Sequence, residues 1–213
     1  ADAVLSVAEA AALLDGLLVD FQFATPSDKM RALALLITPA LVFGGFMCGP
    51  SPLGIAEADL SQTGKDYFCA TVCAVYNETA SLVAQRNGGV GGFDESLQER
   101  YVQGQPFIHI SNLRGDINSP FFEAALTAED SIGCRIPHKG EIHVNPRRFV
   151  VLATSNGFKS TTDLANRSSI VRLRKRSAGY QFKEWPEGEL LDHIKANCGS
   201  YLSAVHTLVE AWH

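Results

Sequence analysis

The chain predicts an α/β domain built on a mostly parallel sheet. Strand-like runs and helix-like periods alternate along it, the pattern of parallel strands joined by crossover helices. A Gly-Lys pair stands at a strand-to-helix junction. Leu53 to Ala58 is a short apolar run, Ser61-Gln62-Thr63-Gly64-Lys65-Asp66 follows, and a helical period begins at Lys65. Apolar residues at helical spacing also occupy both ends, so helical N- and C-terminal extensions are expected around the sheet.

Taken in order, Ser6-x-x-Glu9 is a capping box, and Ala10, Leu13, Leu14, Leu17, Leu18 and Phe21 recur after it at helical spacing. Thr25-Pro26-Ser27-Asp28 opens a second helix carrying Met30, Leu33, Leu36 and Ile37, which Pro39 should end or kink. From Lys65 a single helix is expected to run to Gln85, with Phe68, Cys69, Val72, Val75, Tyr76, Ala80 and Val83 turned to a sheet. Gly88-Gly89-Val90-Gly91-Gly92 reads as a flexible connector; as a dinucleotide loop it lacks a closely preceding strand. Asp94 should cap a helix over 95–103, with Gly104 past its end.

Pro106 to Ser111 is a strand, and Ser119-Pro120 opens a helix through Leu126. Cys134 to Pro137 and Glu141 to Val144 flank His138-Lys139-Gly140 and predict an inserted β-hairpin. Arg148 to Thr154 is the strongest strand pattern, Ile170 to Leu173 is a shorter one, and 188–213 is mostly helical. The expected division is an N-terminal helical extension over 1–46, a core over 47–183 and a C-terminal helical segment over 184–213.

The 213 residues are 46% hydrophobic and 19% charged, enough to bury an ordinary core in one domain. The most apolar segment, Leu33 to Met47, is broken by Pro39 and Gly44-Gly45, which argues against a membrane span. The chain begins with Ala, and its last helical period has no stop signal, so it is expected to be a piece of a longer protein. Five cysteines at non-metal spacing read as small core residues in a reduced, cytoplasmic setting. Six scattered histidines make no metal-binding motif, and no G-x-S-x-G marks a serine hydrolase.

Charge is unevenly spread. Residues 1–134 carry net -10, residues 135–183 net +9 and residues 184–213 net -4. That asymmetry fits a nucleic-acid face, a head-to-tail contact between copies, or a solvated surplus. Within the basic part, Arg172, Arg174, Lys175 and Arg176 form a run whose arginines share one side of a strand. DNA phosphate, a neighbouring subunit and plain solvent all remain open for it, and no aromatic is interleaved to stack bases. Arg114 and Asp116, in the loop expected after the Pro106 to Ser111 strand, are either a nucleic-acid or substrate contact or a local pair.

Gly64-Lys65 at a helix start has a phosphate-binding rationale. Free backbone N–H groups and the helix dipole favour anions, and the lysine adds a point charge. The full motif reads G-x-x-x-x-G-K-[ST]. Here Asp59 takes the place of the first Gly and Asp66 that of the Ser or Thr. A nucleotide-hydrolysing sheet also needs a second strand beside the loop ending in acidic residues, and a third ending in a polar sensor. Phe107 to Asn112 ends in Ser111-Asn112 where Asp-Glu is expected, and Leu152 to Gly157 offers Asn156 as the sensor.

The order of these pieces, with Asn112-Leu113-Arg114-Gly115, the hairpin, Thr154-Ser155-Asn156-Gly157 and Asp163-Leu164-Ala165-Asn166-Arg167, resembles the AAA+-type P-loop ATPases. More narrowly it resembles the ATPase modules of primase–helicase proteins of phages, plasmids and integrated elements, with degenerate Walker A and Walker B motifs. The likeness covers residues 50–176 and is most specific over Asn112 to Glu123 and Ala153 to Arg176. It implies a three-layer P-loop NTPase domain that binds ATP and Mg²⁺ and works as a homo-oligomeric ring on DNA. It implies Ser61, Gln62, Thr63, Gly64, Lys65 and Asp66 as the nucleotide loop, Lys65 as the phosphate lysine, Asn156 as the sensor and Arg167 as an arginine acting on the next subunit. Asn112 in place of the glutamate can orient water but cannot take its proton. Asp66 and Ser111 exchange the usual hydroxyl and carboxylate. Either the metal-facing set is kept with its members swapped, or both are losses and Asp66 serves its own helix or pairs with Lys65.

Overall fold

The computed structural model describes residues 5–84, 92–116, 119–136, 140–159 and 162–213. The Gly88–Gly91 connector, the His138-Lys139 turn and the side chains of Asp116 and Asp163 lie outside the described residues. The fold is α/β. A six-stranded sheet runs in the order β1 (Gln22–Phe23), β8 (Ser168–Arg174), β2 (Leu53–Glu57), β7 (Val150–Lys159), β4 (Phe107–Asp116), β3 (Ser81–Ala84). Every pairing in it is parallel except that of β1 with β8.

Helices cover both faces. On one lie α1 (Val7–Gly16), α2 (Pro26–Phe43), α3 (Lys65–Ala74), α7 (Leu190–Ala196) and α8 (Cys198–Trp212), which share one buried cluster with Ala56, Leu152 and Val171 of the sheet. On the other lie α4 (Phe93–Gln103), α5 (Pro120–Ala125) and α6 (Thr162–Asn166), with the hairpin of β5 (Ile132–Ile136) and β6 (Gly140–Val144). Their cluster takes Leu53, Ile55 and Ala153, so alternate strand residues feed opposite layers. Gly54 sits where a Cβ would lie 2.9 Å from Leu152 and 3.0 Å from Leu35, so α2 packs directly on the β2 backbone.

Local chemistry explains the helix starts. Ser6 and Glu9 form the reciprocal capping box of α1, Thr25 caps α2 ahead of Pro26, and Ser119 caps α5 ahead of Pro120. Asp94 lies in the first turn of α4, whose N-cap is Gly92; it is not itself the cap. Pro39 does not end α2. Tyr76 enters the gap instead, its hydroxyl donating to the Leu36 carbonyl at 2.7 Å and accepting from the Ala40 N–H at 3.2 Å. A side chain inserted in the ladder thereby restores the bonding that proline disturbs.

The helix expected from Lys65 to Gln85 is a helix and a strand. α3 closes at Ala74, Asn77 takes a left-handed φ of 54°, and the chain re-enters the sheet as the edge strand β3. Asparagine tolerates that conformation and stops the helix. Apolar spacing over four strand residues could not be told from one more helical turn.

Candidate nucleotide site

The carboxyl ends of β2, β7 and β4 build one polar site. β2 leads through the loop and α3 away to β3 at one edge, whereas β7 leads past β2 to β8 on the other side. Such a divergence opens a crevice at the strand ends. The expected neighbour of β2 on this side is β4; the structure inserts β7 between them.

Gly64 precedes α3 in the left-handed region, φ 83°, and Gln62 in the loop shares it at φ 59°. Glycine adopts this freely and glutamine does not, so the loop holds a strained residue beside its turn. Lys65 is 6% exposed. Its ammonium donates to the Asn156 carboxamide oxygen at 2.7 Å, to the Leu60 carbonyl at 3.2 Å and to the Thr63 hydroxyl at 3.3 Å. Burial lowers its pKa, and the nearby Asp66 charge partly opposes that.

β4 carries a bulge here. Ile110 pairs with Ala153 and Leu113 with Ser155, so two residues, Ser111 and Asn112, face Thr154 alone. Asn112 takes φ 55°, and its N–H leaves the ladder to donate to the Thr154 hydroxyl at 3.1 Å. That hydroxyl donates onward to Asp66 Oδ1 at 3.1 Å. Asn156 Nδ2 donates to Asn112 Oδ1 at 3.4 Å. Lys65, Asn156, Asn112, Thr154 and Asp66 are therefore joined hydrogen bond by hydrogen bond. Thr154 is fully buried and was not singled out from the sequence. A polar residue ending an apolar strand beside the sensor position was its only signal.

Asp66 does not cap α3, which has no side-chain cap. Asp66 and Ser111 line the same cleft of about 600 Å³, yet no hydrogen bond joins them; the Ser111 hydroxyl accepts from Asn112 Nδ2 at 3.4 Å. Among the described residues no group of three or more His, Cys, Asp or Glu could hold a metal. Between Asp66 and Ser111 a hard cation would find one carboxylate and one hydroxyl; Glu78 and Asp192 also line the cleft, so ligand or water oxygens would complete the shell. Asp59 and Ser61 are exposed on the loop.

Arg167 lies far from this site in its own chain. It precedes β8 at the opposite end of the sheet, where its carbonyl accepts from Leu53 N–H at 3.0 Å. The loop follows Glu57, four strand residues or about 13 Å further along. Arg114 is exposed on β4. Most of the basic run is engaged within the chain. Arg172 pairs with Glu57 at 3.1 Å, and Lys175 reaches the Gln62 carboxamide at 3.4 Å. Arg176 donates to the carbonyls of Val19, Asp20 and Phe21 and covers the Tyr180 ring at 4.1 Å. Arg174 is exposed and makes no ion pair among the described residues.

A second cleft, about 1030 Å³, opens on the other side of the loop. Gln62, Thr63 and Gly64 line it with Tyr67, Tyr180 and Phe182. The aromatics missing from the basic run thus stand just after it and face the Gly-Lys turn. Sequence reading passed over Tyr180, Phe182 and Trp185 because they follow no periodic pattern.

Neither the scan against protein-family models nor the search of curated proteins finds a match for this chain. Among the described residues no helix is long and apolar enough to cross a membrane.

Proposed function

We propose that the chain is a nucleotide-binding module of the ATPase type, as in mobile-element replication proteins. The observation that carries this reading is the meeting of Lys65, at the start of α3, with Asn156 at the end of β7, 2.7 Å apart. A cation, a run of helix N–H groups and a carboxamide converge where a terminal phosphate would lie. The aromatic cleft beside Gly64, about 1030 Å³, has room for a base and ribose. A divalent ion, when bound, would neutralise phosphate charge. Lys65 would exchange its present oxygen partners for phosphate, and Asn112 and Asn156 would hold a water molecule by hydrogen bonds. Arg167, being remote from its own loop, would serve only the loop of another copy in a ring on DNA.

Titration of the chain with a labelled ATP analogue and Mg²⁺ tests this. Wild type should bind and Lys65→Ala should bind at least tenfold more weakly. Equal failure of the two sinks the nucleotide reading.

One observation favours a second reading, a non-hydrolysing scaffold for assembly or nucleic-acid binding. The β4 end presents Ser111 and Asn112, neither of which can accept a proton from water. In that case DNA binding should weaken steeply with salt and depend on Arg174, and nucleotide should be dispensable.

A further inference from the structure

The cleft that Asp66 and Ser111 share holds a group the ATPase reading does not use. His109 lies on β4 two residues before Ser111, so both side chains leave the same face of the strand. His109 is 6% exposed, and its Nε2 atom is shielded from solvent with no hydrogen-bond partner. A buried ring nitrogen without a partner calls for an explanation. The atom facing it is Asp66 Oδ1, 3.6 Å away. That gap is too long for a hydrogen bond. It is close to the separation of two donors on one ion, since ligands about 2.1 Å from a tetrahedral metal sit about 3.4 Å apart. The Asp66 side chain is 67% exposed, so the carboxylate is open to an incoming ion from the cleft.

We propose that His109 Nε2 and the Asp66 carboxylate are a half-site for a divalent transition ion, completed by water and by a phosphate oxygen of the ligand at the loop. The completing phosphate rests on the nucleotide reading above; the two protein ligands do not. The Ser111 hydroxyl, on the same wall, is placed to bond a coordinated water. A nitrogen donor changes which ion is preferred. Mg²⁺ is served by oxygen and keeps its water, whereas imidazole suits Co²⁺, Zn²⁺ and their neighbours. The neighbouring thiol of Cys69 is not a third ligand. Burial pushes it well above the ordinary thiol range, and it donates to the Ala153 carbonyl.

Co²⁺ titration of the full chain, followed by visible absorption, tests the half-site with and without a non-hydrolysable ATP analogue. Wild type should bind Co²⁺ with a nitrogen-ligated spectrum, bind it at least tenfold more tightly than Mg²⁺, and bind it more tightly still with the analogue. His109→Asn and, separately, the exposed Asp66→Asn should each lose at least tenfold in Co²⁺ affinity, with the spectrum changed by His109→Asn. Equal Co²⁺ affinity and spectrum in wild type and both variants would overturn the proposal while leaving analogue binding, and so the nucleotide reading, intact. Co²⁺ binding that needs His109 and Asp66 in a chain that ignores the analogue would keep the half-site and sink the nucleotide reading.

Discussion

The two ends of the central sheet are built by opposite rules. At the amino-terminal end Leu53, Phe107 and Val150 are buried without strain, and Phe107 meets Phe43 edge-on at 5.4 Å. At the carboxyl-terminal end β4 bulges, Gln62 and Asn112 hold left-handed backbone, and a lysine is buried among neutral oxygens. Strain and shielded polar groups of this kind persist only where the surrounding fold holds them in place. The regular end therefore supplies stability, and the irregular end spends part of it on a preset arrangement of polar atoms.

Substitution should separate the ends. The largest effect is expected from Phe107→Ala, which empties the packing against Phe43 and Tyr76 at the regular end. It should cost about 3–5 kcal/mol in denaturant unfolding. A loss below 1 kcal/mol would mean that this end is not where stability resides. Tyr76→Phe keeps the ring and removes only the hydroxyl inserted at Pro39, leaving the Leu36 carbonyl and the Ala40 N–H to find other partners. It should cost about 1–3 kcal/mol; an unchanged midpoint would show that α2 closes the gap unaided.

The smallest effect is one of pH, and it belongs to the irregular end. Burial lowers the His109 pKa below its ordinary 6.5, with Asp66 partly opposing. The unfolded chain then takes up a proton at a pH where the folded one does not. Stability from this group is full above 6.5 and is lost as pH falls from there through the lowered folded value. Unfolding midpoints measured between pH 8 and pH 5 should fall on acidification in wild type, and less in His109→Gln. Parallel curves would remove His109 as the cause.

Much of the fold could be read without coordinates because its signals are local. The Ser6 and Glu9 box, Thr25-Pro26, Ser119-Pro120 and the hairpin each occupy a few consecutive residues. β1 and β3 were missed for the converse reason. Two and four residues are too short for a period, and they join the sheet through partners distant in the chain, Leu173 and His109 among them. The site was legible only as separate strand ends. Lys65 and Asn156 are 91 residues apart, and no spacing rule sets them at hydrogen-bond distance. Thr154 joins Asn112 to Asp66 through the bulge, a register shift without a sequence signature. The basic run looked outward-facing because the carbonyls that hold Arg176 come from the turn after α1, more than 150 residues earlier.

The three oxygens around the Lys65 ammonium would make any anion association at the loop an exchange reaction. An anion arriving there does not find a bare charge waiting. It must displace Asn156, Thr63 and Leu60 from a cation that is already solvated by the protein, and it gains only the difference between its own oxygens and theirs. Neutral ligands and weak monoanions gain little in such a trade. The Asn156 carboxamide also donates to Asn112 Oδ1 at 3.4 Å, so a ligand that displaced it from Lys65 would disturb the β4 bulge as well.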